Sequence, residues 1–259
     1  MSLSREQMLV EMGISPIWVR RDAPVAEPAD EAPRQTEPAP SAAPVVEAPP
    51  VAAPLKANPV TQAKIDVANL DWPALAKQVA ECRACALCEQ RKLAVLGVGD
   101  IQPEYLFIGE GPGADEDAQG EPFVGQAGKL LDNMLASLDI ARGNRVYIAN
   151  AVKCRPPGNR TPEAAEMATC WPYLERQIAL LKPKIIVLLG KAAVHAVLHD
   201  DKSLASLRGK RFEYAAIPVV VTYHPAYLLR NLPDKAKAWE DLLFARRILR
   251  EQMAPELPF

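Results

Sequence analysis

The sequence predicts an α/β protein of three layers, with helices on both faces of a central, mostly parallel four-stranded sheet. Three observations carry this. Four short apolar runs, YLFIG (105–109), VYIAN (146–150), IIVLLG (185–190) and VVVTYH (219–224), are continuous rather than alternating, as in strands buried on both faces. Helical segments separate them, which is how parallel neighbours are connected. The composition also changes near residue 60, so the sheet belongs to the residues beyond that point.

Taken in order, residues 1–21 form a short helix-like peptide, with Met8, Leu9 and Met12 near one face behind Ser4, a candidate cap. An apolar stretch of this kind suits a partner-binding peptide. Residues 22–60 form a disordered Pro/Ala-rich linker: between 22 and 59 there are ten prolines, no aromatic residue and no glycine. Such a composition cannot bury enough apolar surface to fold and gives a semi-stiff tether. Residues 61–259 form the globular domain. Its helical segments are GQAGKLLDNMLASLDI, TPEAAEMATCWPYLERQIALLK and GKAAVHAVL, with DKAKAWEDLLFARRILREQ after the last strand. Thr161 and Pro162 read as N-cap and first turn of the second.

The net charge of -2 is uneven: residues 1–60 carry five Lys/Arg and eight Asp/Glu, whereas residues 61–259 carry 25 and 24. No broad basic field favours nucleic acid, so any such contact must come from local patches. No apolar run approaches the roughly 18 residues of a membrane span, and the N-terminus lacks the pattern of a cleaved leader. A soluble, cytoplasmic protein without membrane contact is expected.

Ligands of such folds bind beyond the carboxyl ends of the strands. Glu110 and Gly111, Asn150, Gly190 and His224 stand there, so an acid, an amide and an imidazole share one rim. The first strand runs into GEGPGADED, whose Gly109, Gly111 and Ala114 fit a loose dinucleotide pattern. A phosphate cradle is disfavoured: Glu110, Asp115, Glu116 and Asp117 would repel it, and Pro112 lacks an N–H. Five cysteines complete the inventory: Cys82, Cys85 and Cys88 close together, then Cys154 and Cys170. Two close ligands and two distant ones can close a tetrathiolate site for zinc or for a [4Fe–4S] cluster, and thiolate number does not separate the two.

These segments resemble the family 4 uracil-DNA glycosylases, the iron–sulfur branch of that superfamily. The resemblance rests on CRACALCEQR, GEGPGADEDAQGEPFVGQAGKLL, VYIANAVKCRPPGNRTP, ATCWPYL and YHPAYLLRN, in order, over nearly all of residues 78–250. It implies a uracil-DNA glycosylase-like fold, uracil-containing DNA as substrate, and a [4Fe–4S] cluster on Cys82, Cys85, Cys154 and Cys170, with Cys88 outside the set. It makes His224 the donor to the uracil O2, and Phe123 the ring that stacks on the flipped base. An Asn150 amide can accept from N3–H and donate to O4, so cytosine would leave both groups badly paired. Backbone at Gly111 is expected against the base, the glycines serving close approach. In family 1 enzymes an aspartate orients the water where Gly111 stands here, which leaves Glu110, Glu116 and Asp117 as candidates. Glu110 is favoured and Glu116 is expected to be structural.

A flipped base needs its gap held open. Tyr227, Leu228 and Leu229 are expected to supply a wedge, and Lys153, Arg155, Arg160 and Arg230 the phosphate contacts. Residues 1–21 would recruit a repair or replication protein, and the cytoplasmic site would be at the nucleoid. Two other functions compete. A branch that couples covalently to uracil DNA uses a histidine near the segment KCRPPGNRTP, which has none here. A non-catalytic iron–sulfur DNA-binding module would not need Phe123, Asn150 and His224 together.

Overall fold

The computed structural model describes residues 66–253. The strands are β1 (Val98–Gly99), β2 (Tyr105–Gly109), β3 (Ala141–Arg142), β4 (Arg145–Asn150), β5 (Ile185–Leu189), β6 (Phe212–Tyr214) and β7 (Ile217–Thr222). The helices are α1 (Trp72–Glu81), α2 (Leu87–Gln90), α3 (Ala114–Gln119), α4 (Gln126–Ala136), α5 (Ala164–Leu181), α6 (Lys191–Leu198), α7 (Leu204–Leu207), α8 (Pro225–Arg230) and α9 (Asp234–Met253).

The four strands expected from the apolar runs are β2, β4, β5 and β7, and they pair in parallel in the order β4-β2-β5-β7. The sheet nevertheless has seven strands, not four. β1 adds antiparallel to β4, β6 antiparallel to β7, and β3 pairs with β4. These additions are two or three residues long, too short to leave a hydrophobic period in the sequence.

Alternate residues of the parallel strands point into two cores, which explains the unbroken apolar runs. Tyr105, Phe107, Ile148, Val187 and Val220 pack with Leu131 and Leu135 of α4 and with Leu242 and Leu249 of α9. Leu106, Ile108, Ala149, Leu188 and Val221 pack on the other face with Leu174 and Ile178 of α5 and with Val194 and Val197 of α6. A third cluster joins Leu75 and Val79 of α1 to Val152, Cys154, Met167 and Cys170.

Helix α5 begins later than its sequence suggests. Its N-cap is Glu163, whose N–H donates to Glu166 Oε2 at 2.8 Å, so Thr161 and Pro162 precede the helix. Among the described residues no helix is long and apolar enough to cross a membrane. The 1–21 peptide and the 22–60 linker lie outside the described residues.

Candidate active site

A cavity of about 640 Å³ opens at the carboxyl ends of the parallel strands. Glu110, Gly111, Phe123, Asn150, Gly190 and His224 all line it, so the rim residues do converge. The pairing of β2 with β4 sets Gly109 beside Asn150. A Cβ on Gly109 would stand 2.5 Å from Asn150 Oδ1 and 2.6 Å from Phe123 Cζ. One on Gly111 would stand 2.8 Å from Val152 Cγ2. Close approach of side chains therefore accounts for these glycines.

Asn150 is 2% exposed, and its Oδ1 is buried without a hydrogen-bond partner. An unpaired buried carbonyl oxygen costs free energy, so an orphan at a cavity wall points to a donor supplied by a ligand. Phe123 holds a backbone φ of 56°, uncommon for a residue with a side chain, and its ring stacks on the His224 imidazole at 5.3 Å.

His224 is the N-cap of α8, and its Nδ1 accepts from the Ala226 N–H at 3.1 Å. A neutral imidazole so engaged carries its proton on Nε2, as a donor. Burial first, and then the Arg230 guanidinium, push the His224 pKa down to about 4 against the opposing pull of Glu116. The ring is neutral at physiological pH.

The three candidate carboxylates separate. Glu116 accepts from Val124 N–H at 2.9 Å and Gly125 N–H at 3.1 Å with Oε1, and from Gly113 N–H at 3.1 Å with Oε2. Its role is to hold the two loops together. Asp117 is buried and accepts from Lys92 N–H at 2.8 Å. Glu110 lines the cavity; burial raises its pKa above the ordinary carboxylate value, although a Thr161 hydrogen bond favours the ionised form.

The expected DNA-contacting residues divide as well. Leu228 is 0% exposed and packs with Tyr223 and Ala238, so it is no wedge; Leu229 beside it is 42% exposed. Tyr227 is half-buried, stacks on Tyr223 at 5.0 Å and donates its hydroxyl to Asp234 at 2.7 Å. Arg230 is exposed at the cavity edge. Arg155 donates to Asn159 Oδ1 at 2.7 Å, and Arg160 makes two bonds to Glu166, at 2.8 and 2.6 Å. Lys153 is 2% exposed and donates from Nζ to the Asn150 carbonyl at 2.9 Å, so burial removes it from any phosphate contact. Lys191 and Tyr223 line the cavity without a sequence signal beyond their neighbours, and Leu232 is a further exposed apolar side chain, 60% exposed.

All five cysteines are free thiols lining one small cavity, together with Val79, Arg91, Lys153, Thr169 and Tyr173; Cys88, Cys154 and Cys170 are buried, Cys82 and Cys85 half-buried. Arg91 donates from Nη1 to Cys154 Sγ at 2.8 Å and from Nη2 to the Ala80 and Cys82 carbonyls. The Lys153 N–H donates to Cys170 Sγ at 3.3 Å. Burial pushes the Cys154 thiol up to about 11 and the Cys170 thiol to about 12. Among the described residues no three His, Cys, Asp or Glu side chains form a metal-ion site.

Comparison with known proteins gives a consistent result. Residues 96–243 match the profile of the uracil DNA glycosylase superfamily. The chain is 39% identical over 182 residues to the type-4 uracil-DNA glycosylase of Thermotoga maritima, covering 69% of this chain and 94% of that protein. It is 42% identical over 173 residues to the type-4 enzyme of Sulfurisphaera tokodaii, covering 64% and 78%. A type-5 uracil-DNA glycosylase of Mycobacterium leprae is more distant, 32% identical over 197 residues, covering 60% and 84%.

Proposed function

The chain belongs to the uracil DNA glycosylase superfamily, among its type-4 members, and on that premise we propose how it excises uracil from DNA. The reaction is hydrolysis of the N-glycosidic bond of deoxyuridine in DNA repair, by a monofunctional enzyme that leaves an abasic site. The observation that carries this reading is the partnerless Asn150 Oδ1 sharing one cavity with a neutral His224.

Bond cleavage places negative charge on the departing pyrimidine and positive charge on the sugar. The Nε2–H of His224 donates to the uracil O2, where that charge grows. A preorganised donor of this kind contributes about 10²–10³ in rate, roughly 2.7–4 kcal/mol. Neutrality suits the role, because a buried imidazolium would have to be maintained against burial and Arg230. Asn150 Oδ1 accepts from N3–H and its amide group donates to O4. Cytosine, with the opposite polarity at both atoms, would leave the buried oxygen unpaired. The Phe123 ring stacks on the base, the Gly111 backbone borders it, and Glu110 positions water and faces the cationic sugar.

Leu229 is the wedge that Leu228 cannot be, with Tyr227 beneath it; Arg230 and Arg155 meet phosphates. Arg160, bound to Glu166, orders the loop that carries Arg155. Cys82, Cys85, Cys154 and Cys170 hold a [4Fe–4S] cluster. Thiols gathered around one cavity, with the cations Arg91 and Lys153 beside them, suit an anionic cluster. When bound, the cluster supplies a structural cross-link between the segment before β1, the loop after β4, and α5. The catalytic body begins near residue 61, and residues 1–21 recruit a repair or replication partner at the nucleoid.

The test is cleavage of a uracil-containing single-stranded oligonucleotide, developed with alkali, by cluster-loaded protein and its His224→Ala and Asn150→Ala variants. Release by the wild type and strong impairment of both variants at unchanged iron content supports the reading. Binding of uracil DNA without cleavage would overturn it in favour of damage recognition or covalent capture.

A further inference from the structure

Lys153 joins the strand-end cavity to the thiol cavity, and neither chemistry requires a lysine there. It lies between Asn150, which borders the first, and Cys154, which borders the second, in the segment NAVKC. Its ammonium is fully buried, and one acceptor, the Asn150 carbonyl at 2.9 Å, takes one of its three N–H groups. The side chain lines the cysteine cavity, its backbone N–H donates to Cys170 Sγ, and its carbonyl accepts from Val95 N–H at 2.8 Å. No carboxylate forms an ion pair with it among the described residues.

A buried charge without a counter-charge is a costly arrangement. The side chain lines the cavity that the cysteines share, and ligated thiolates with a sulfide-containing core there would provide the missing negative charge. The same ammonium then grips the backbone of Asn150 at the end of β4, whose side chain reads the base.

We infer that Lys153 is a positioning residue that couples the cluster to uracil recognition: held by the anionic cluster on one side, it fixes the Asn150 carbonyl, and with it the base-reading amide, on the other. The inference rests on the proposed uracil and cluster sites. Coupling between two sites is reciprocal, so bound uracil must also strengthen retention of the cluster.

The experiment uses full-length, cluster-loaded protein, wild type and Lys153→Met, with three readouts. These are iron content, inhibition of oligonucleotide cleavage by free uracil, and the rate of iron release to a chelator with and without saturating free uracil. The expected result is iron content close to wild type in K153M, with the uracil inhibition constant raised on the order of tenfold. Uracil should slow iron release several-fold in the wild type and not in K153M. Unchanged inhibition with unchanged protection in K153M would overturn the coupling. Should K153M fail to accumulate, the wild type decides: iron release indifferent to saturating uracil overturns the inference, and slowed release supports it. A wild type that does not cleave uracil DNA, or that purifies without iron, marks failure of the underlying site assignments instead.

Discussion

Lowering the pH from about 8 to about 5.5 should barely affect the neutral imidazole proposed to assist uracil release. The surroundings of His224 hold its pKa near 4, whereas a free imidazole titrates near 6.5. At pH 5.5 a free imidazole would be only about 10% neutral, and one at 4 about 97% neutral, so the two cases differ roughly tenfold in active form. The assay is single-turnover cleavage of a single-stranded uracil oligonucleotide across this range at constant ionic strength. It is run in parallel on Glu110→Gln, because the raised pKa of Glu110 gives the wild type its own acid limb. Labelled-histidine NMR follows His224 directly against His195 and His199. Stability should move with the same group. Its folded pKa lies below its unfolded one, so the stabilisation is complete above about pH 6.5 and is lost as pH falls toward 4. The loss reaches at most about 3 kcal/mol. A His224 resonance titrating near 6.5, or an E110Q profile that falls through 6.5, would refute the argument for a neutral donor.

Five further substitutions test the remaining geometry. Gly109→Ala forces a methyl group into Asn150 Oδ1 and Phe123; it should cost about 1–3 kcal/mol in urea denaturation and abolish most uracil cleavage. Leu228→Ala should cost about 2–5 kcal/mol, read as a lowered Tm. Leu229→Ala should change stability by no more than about 0.5 kcal/mol while selectively weakening cleavage of duplex over single-stranded substrate. Cys88→Ser should purify with the iron content of the wild type, and Cys154→Ser without iron; equal loss from both would place Cys88 among the ligands.

What the sequence disclosed and what it hid have physical causes that particular residues make plain. A strand such as β5 is buried along its whole length, so five consecutive apolar residues announce it. The two-residue strands β1 and β3 form because β4 lies beside them, and that neighbour is invisible locally. His224, Asn150 and Glu110 were legible because parallel topology alone delivers strand ends to one rim. Leu228 was within reach of helical periodicity. Once Pro225 starts a helix, the residue three places on shares its face, and both are buried while Leu229 turns outward. Lys153 was not legible: a lysine beside arginines reads as a solvated charge, and only the fold brings the Asn150 carbonyl and the thiols around it. The glycine loop shows the same logic in reverse. Gly109 and Gly111 resemble half of a nucleotide motif because close approach is what the backbone needs in both cases. The group that approaches here is a neighbouring side chain, Asn150 or Val152, and not a phosphate. A glycine pattern therefore reports how near something must come, and the chemistry of the wall around it, here carboxylates, an amide and a neutral imidazole, decides what that something is.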